Sequence, residues 1–310
     1  LTLRGAYQML RYNRPSLAEA LGIDPENIRI LAPYVGGGFG SKLGISPEAV
    51  AAAIAAERLD RPVRVVMTRR QQMEQTTRRS ETSQRFRLAA DQDGRIKGIG
   101  HEILVSNLPG ETFSEPATQG TGFAYATEAL TIGHRIARIH RMAAGSVRAP
   151  GEAVGQTAFE IALDELAEAT GIDPVELRLH NIPDTVPGTD TPFSSHMMRE
   201  ALTEGARRFG WEGRDPRPRQ RREGEWWIGT GMSGAVRVNM LMPAEARVTL
   251  RPDGTALVET DMTDIGTGTY AILTQIAAEL LGLPPERVQT VLGDTDLPPG
   301  SGSGGSFGAA

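Results

Sequence analysis

A chain of 310 residues with 39% hydrophobic content holds enough material for one large or two ordinary globular domains. Its net charge of −5, with both signs scattered, excludes nucleic acid and an anionic membrane surface as main partners, which call for clustered positive charge. Zero cysteines exclude disulfides, zinc–thiolate sites and protein-ligated iron–sulfur clusters, and leave the compartment open, so any electrons this chain handles leave through another chain.

In chain order, residues 15–21 read as a short helix ending at Gly22, followed by a β-rich run over residues 28–35. That run ends in Gly36-Gly37-Gly38-Phe39-Gly40-Ser41-Lys42, ahead of a helix over residues 47–59 and an apolar strand over 63–67. The glycines free backbone N–H groups just before a helix N-terminus, where anions are favoured. Ser41 breaks both the nucleotide P-loop and the dinucleotide fingerprint, and a tight turn in a close-packed αβ junction fits the run equally well.

Alternating runs over residues 85–105 flank Asp91-Gln92-Asp93-Gly94 and predict a β-hairpin. Residues 106–128, rich in Gly, Pro, Ser and Thr, predict a long surface loop whose Phe113 and Tyr125 line a substrate funnel. A strand over 130–141 then leads into the loop of Val147-Arg148-Ala149-Pro150-Gly151-Glu152. Phe159, Leu163 and Leu166 make residues 152–170 an amphipathic helix stopped by Gly171, and Asp173 caps another through His180. A loop over 181–195 and a helix over 196–209 follow. Strands are predicted near 226–238, 244–250 and 255–262, then the Gly266-Thr267-Gly268-Thr269 loop, a helix over 270–281 and a strand over 288–292.

The run from Leu21 to Ile28 is echoed by the run from Leu281 to Val288, and each leads to a glycine loop. The fold class is therefore mixed α/β (α+β): two related αβ units with β-hairpins and glycine-rich cofactor loops. The expected boundaries are 1–211 for the first unit with its central helical segment, 212–225 for an Arg/Pro-rich linker, and 226–310 for the start of the second unit.

Arg148, between glycine and proline ahead of a long helix, can orient a substrate or stabilise a developing oxyanion, although lone arginines more often join surface ion pairs. Gly266 to Thr269 offer N–H groups and hydroxyls suited to a phosphate or a polar ring; an ordinary helix cap has the same composition. The five histidines lack metal-ligand spacing, so any metal arrives held by an organic cofactor. No run reaches the roughly 18–20 apolar residues of a membrane span.

Taken together, Val35 to Lys42, Val147 to Glu152, and Asp264-Ile265-Gly266-Thr267-Gly268-Thr269, with Gly293 to Asp296 and Gly300 to Gly308 in the same order, resemble one family. It is the molybdopterin-binding large subunit of the xanthine dehydrogenase and aldehyde oxidase group. The resemblance implies a molybdenum hydroxylase that oxidises an aldehyde or N-heterocycle with water as oxygen source. It further implies a molybdopterin or molybdopterin cytosine dinucleotide cofactor, and iron–sulfur and FAD partner subunits or domains.

By the same resemblance, Gly37, Gly38, Phe39 and Gly40 form the loop beside the metal, and Arg148 is the substrate-side arginine. Gly266, Thr267, Gly268 and Thr269 contact the pterin, with Thr267 where the family often has glutamine. Gly305, Ser306, Phe307 and Gly308 form a second loop near the metal. The catalytic glutamate is expected beyond Ala310, and a glutamine near the metal before Leu1, so the chain is expected to be the middle of a longer subunit. The alternatives are a non-catalytic cofactor-binding fragment and an unrelated α/β enzyme using its glycine loops for a nucleotide.

Overall fold

A computed structural model describes residues 1–237 and 241–305. Two β-α-β units lie at the two ends of the sequence, and the residues between them in chain order form a three-stranded sheet packed on a long helix. In the first unit, β1 (Thr2–Arg4) and β2 (Arg29–Leu31) pair in parallel through α1 (Leu10–Leu21). Helix α1 begins well before residue 15 and carries Pro15 inside it, because Leu10, Asn13 and Leu17 at helical spacing bury one face and offset the lost backbone bond. It stops at Gly22, whose left-handed conformation lets its N–H reach the carbonyls of Ala18 and Glu19.

Helix α2 (Pro47–Leu59) follows the glycine run and α3 (Arg69–Gln75) comes next. Residues 63–67, read as a strand, form no strand and pair with none among the described residues, and Val66 is exposed. The predicted hairpin is present: β3 (Thr82–Ala90) pairs antiparallel with β4 (Ile96–Asn107) across a turn in which Asp91 Oδ1 accepts from the N–H groups of Asp93 and Arg95.

The connection after β4 differs from expectation. It carries α4 (Thr121–Ala124) and buries Glu115, Ala117, Thr121 and Tyr125, so Tyr125 is a core residue and lines no funnel. Small residues, read as solvated, instead let backbones approach: a Cβ on Gly155 would lie 1.7 Å from the Ala117 carbonyl oxygen. The chain returns as β5 (Ala129–Arg138), parallel to β4. Helix α5 (Glu152–Thr170) buries Phe159 and Leu163 against that sheet, and α6 (Pro174–His180) starts at Asp173, whose carboxylate accepts from Val175 and Glu176.

After α7 (Met198–Phe209), the stretch read as a linker holds β6 (Arg221–Glu223), which pairs with β7 (Trp226–Ile228). The strand expected over 226–238 ends at residue 228 among the described residues. In the second unit β8 (Arg247–Leu250), β9 (Ala256–Glu259) and β10 (Val288–Val291) form one sheet, with α8 (Thr269–Leu281) crossing from β9 to its parallel neighbour β10.

The echo seen in sequence is thus a repeated β-α-β order. Gly282 ends α8 in the left-handed conformation as Gly22 ends α1, and a 3-10 turn precedes the last strand in both units. The units join where Leu31 bridges Asp294 and where the N–H of Ala32 donates to Gly293 O at 2.7 Å. Among the described residues no helix is long and apolar enough to cross a membrane.

His101 lies fully buried on β4, stacked 4.0 Å from the Phe86 ring. Gln84 donates through its own amide to Thr82 and Val154, so its Oε1 accepts from His101 Nε2, and His101 Nδ1 accepts from the Thr121 hydroxyl. Burial, helped by His134, lowers its pKa from 6.5 to about 4. The unfolded chain therefore takes up this proton first, and stability is expected to fall as pH drops from 6.5 to 4, by about 1.4 kcal/mol per pH unit in that window. Urea titrations across this range are expected to give a shallower slope for His101→Gln than for the parent.

Candidate functional site

The β-to-α loops of the two units meet face to face, with Gln8 as their hinge. Gln8 is only 3% exposed; its Oε1 accepts from Gly40 N at 2.9 Å and Lys42 N at 3.3 Å, while its Nε2 donates to Ser303 O at 2.8 Å. Its carbonyl accepts from Ser303 N and the Thr263 hydroxyl. One side chain thus ties the first glycine loop to the loop after residue 300. Lys42 Nζ donates to Val35 O at 2.6 Å, and burial pulls its ammonium below the ordinary value.

Gly38 is buried against Gln8, where a Cβ would come within 2.4 Å of the amide. Phe39, between two glycines, is turned outward: its φ is +54° and it is 65% exposed, an unfavourable environment for a bulky aromatic with no role at the surface. Gly40 presses on the Arg148 loop, and the Arg148 N–H donates to Phe39 O at 2.7 Å. The Arg148 guanidinium sits 5.8 Å from the Phe39 ring centroid and makes no ion pair among the described residues. Two segments over a hundred residues apart are brought together.

Gly305 also joins this group. Arg237 bridges the Glu152 carboxylate, at the start of α5, and Gly305 O at 2.6 Å. Ser306, Phe307 and Gly308 lie outside the described residues.

The fourth loop is partly occupied by its own side chain. Asp264 accepts from the N–H groups of Gly266 at 2.8 Å, Gly268 at 3.3 Å and Tyr270 at 3.4 Å, so those three donors are not free for an anion. The hydroxyls of Thr267 and Thr269 stand 3.1 Å apart, and Gly266 and Gly268 at positive φ have open space where a Cβ would point. The Tyr270 hydroxyl donates to Pro33 O and fixes α8 against the first unit.

Residues 1–182 match one molybdopterin cofactor-binding domain model and residues 204–310 match a second. The chain belongs to the molybdopterin cofactor-binding domain family. It is 47% identical over its full length to the aldehyde oxidoreductase molybdenum-binding subunit PaoC of Escherichia coli (strain K12), covering 42% of that protein. It is 28% identical over 96% of its length to the putative xanthine dehydrogenase molybdenum-binding subunit XdhA of the same strain, covering 41% of that protein. Among solved structures, the aldehyde oxidoreductase from Desulfovibrio desulfuricans ATCC 27774 superposes with a TM-score of 0.87 at 25% identity, over 99% of this chain and 35% of that one. The chain therefore spans less than half the length of these relatives.

The structure adds one residue to the candidate site. Gln8 lies upstream of the glycine loop with its amide against Gly40. A polar side chain between Tyr7 and Met9 carries no local signature, and only the tertiary fold reveals its partners.

The residues fit a molybdopterin. Gly266 and Gly268, at positive φ with nothing within 4 Å of a Cβ position, leave room for close approach of a flat, hydrogen-bonding ring system. Among the described residues no group of three or more His, Cys, Asp or Glu is placed to hold a metal ion.

Proposed function

We propose that this chain forms the cofactor-binding centre of a molybdenum hydroxylase subunit that oxidises an aldehyde or, as second choice, an N-heterocycle, with water as oxygen source. When bound, the molybdenum cofactor, as molybdopterin or its cytosine dinucleotide, supplies two-electron oxidation. The observation that carries the proposal is the pairing of Phe39 and Arg148: an outward-facing aromatic ring beside an arginine that makes no ion pair among the described residues. Identity to a subunit named for aldehydes favours that substrate class.

In this reading Gly37, Gly38, Phe39, Gly40 and Gly305 border the metal end of the cofactor, together with Ser306, Phe307 and Gly308. Gly266, Thr267, Gly268 and Thr269 contact the pterin, the threonines through their hydroxyls. Gln8 adds its amide beside Gly40. Phe39 offers a flat apolar wall to a planar substrate, and Arg148 donates hydrogen bonds to the substrate's carbonyl oxygen or ring heteroatom, orienting it and stabilising negative charge as it develops. Iron–sulfur and FAD partners take the electrons, in keeping with a cysteine-free chain. The domain limits proposed are 1–211, a 212–225 linker and 226–310.

Elemental analysis of the full-length protein with its partners, from cells making the cofactor, is expected to give about one molybdenum per subunit. An intact complex with none would move the assignment to a non-catalytic module. With molybdenum present, Arg148→Ala is expected to lower kcat/KM for aldehydes by about 10²-fold or more without changing metal content. Arg148→Lys, a point charge lacking the planar fork, is expected to recover only part of this.

A further inference from the structure

The Arg148 loop has an unusual backbone for residues with side chains. Ala149 has a φ of +51° and Gly151 of +84°, and a Cβ on Gly151 would meet the Pro116 carbonyl oxygen at 2.2 Å. Strain of this kind persists only where surrounding groups over-determine it. The groups here come from the segment between α3 and β3. Arg78 aligns the approach to the loop: Ala143 O accepts from Arg78 N at 3.1 Å, Gly145 N donates to Arg78 O at 3.0 Å, and the Arg78 guanidinium donates to Met142 O at 2.9 Å.

Its neighbour Arg79 holds the loop itself. The Arg79 guanidinium donates to three successive carbonyls: Val147 O and Ala149 O, each at 3.4 Å, and Arg148 O. The same guanidinium donates to Glu115 Oε1 at 2.9 Å, and that oxygen also accepts from Gly151 N at 2.5 Å. Glu115 is fully buried and its other oxygen has no hydrogen-bond partner. A buried carboxylate left in that state is tolerated because Arg79 balances it. The ion pair thus grips the Arg148 loop at both ends, at residues 147–149 and at residue 151.

We infer that Arg79 and Glu115 are positioning residues that hold the Arg148 loop in the conformation that presents the Arg148 guanidinium beside Phe39. The inference rests on the function proposed above for Arg148, and goes further by naming what sets its place. Arg79 acts through the backbone of 147–149. A lysine keeps the charge beside Glu115 but cannot span three carbonyls and a carboxylate at once.

The test uses the full-length, cofactor-loaded protein and the variants Arg79→Lys, Glu115→Gln, Arg148→Ala and Arg79→Lys/Arg148→Ala. Arg79→Ala is avoided because it would strand the buried Glu115 charge and risk misfolding. Amide hydrogen exchange in a peptide covering residues 145–151 is expected to quicken by about tenfold or more in Arg79→Lys, less in Glu115→Gln, and not in Arg148→Ala, at unchanged molybdenum content. Aldehyde kcat/KM is expected to fall about tenfold or more in Arg79→Lys, with little further loss when that change is added to Arg148→Ala.

Parent-like exchange over 145–151 in Arg79→Lys, or losses that multiply in the double variant, would overturn the inference. If Arg148→Ala turns over substrate normally while Arg79→Lys still loosens the loop, the role given to Arg148 fails and the positioning by Arg79 stands.

Discussion

Glu160→Ala is expected to destabilise the protein by about 3–5 kcal/mol, since it leaves buried Arg178 with only the half-exposed Asp164 carboxylate, 2.9 Å from Nη2, and strips the Tyr125 hydroxyl and Gly234 N–H of their acceptor. Glu160 lies on the inner face of α5 and Arg178, fully buried, on α6. Arg178 Nε donates to Glu160 Oε2 at 2.8 Å and Arg178 Nη2 to the Glu160 backbone carbonyl at 3.0 Å. The remaining carboxylate capacity is also in use: Oε1 accepts from the Tyr125 hydroxyl at 2.9 Å and Oε2 from Gly234 N at 2.7 Å.

Burial and the adjacent Glu160 charge push the Tyr125 hydroxyl far above its ordinary pKa, so it remains a donor throughout the working range. One carboxylate therefore joins α5, α6, the segment after β4 and the segment after β7. Because Arg178, Tyr125 and Gly234 share one carboxylate, Glu160→Ala and Arg178→Ala are expected to be non-additive, the pair costing less than the sum by about 0.5–3 kcal/mol. Urea unfolding of the full-length protein, followed by near-UV circular dichroism, reads both numbers. Glu160→Gln keeps the shape but not the charge and is expected to fall between the parent and Glu160→Ala.

Much of the architecture was legible because local and tertiary signals agree. Helix α5 spans 152–170 as read, since the Phe159 and Leu163 stripe and Gly171 point to one period and one stop. The Asp173 cap, the Asp91 turn and the Gly22 and Gly282 ends are equally local. What failed depends on distant groups. Residues 106–128 have loop composition, but Glu115 is buried because Arg79 comes from another segment to meet it. Residues 63–67 have strand composition and no strand beside them among the described residues. In the candidate site, the glycine run and Arg148 stood out, while Gln8 did not. The engagement of Gly266 and Gly268 by Asp264 was readable in principle, as an Asp two residues before a glycine is the signature of an Asx turn.

Gly40→Ala is expected to abolish or nearly abolish turnover, because two independent costs coincide at this position. The φ of +93° is one that L side chains rarely adopt, and a Cβ would lie 2.2 Å from Ser146 O and 2.7 Å from Val147 Cα. Those neighbours are backbone, and the Arg79 fork holds the adjoining carbonyls, so the glycine loop has to yield instead. Moving it off the 145–148 segment breaks the 2.7 Å bond from Arg148 N to Phe39 O and pulls Gly40 N from Gln8. Under the proposed function, in which this loop borders cofactor and substrate, a displacement near 1 Å costs about 10²-fold in rate, and molybdenum content is expected to fall as well. Gly36→Ala separates the two costs. Gly36 has a φ of +68° but nothing within 4 Å of its Cβ position, so the change carries the conformational penalty alone, about 1 kcal/mol. Elemental analysis and aldehyde kinetics on the two variants side by side are expected to show Gly36→Ala close to the parent in metal content and kcat/KM, and Gly40→Ala low in both. Equal losses in the two would mean that backbone conformation, and not the close approach of the two loops, is what the glycine run supplies.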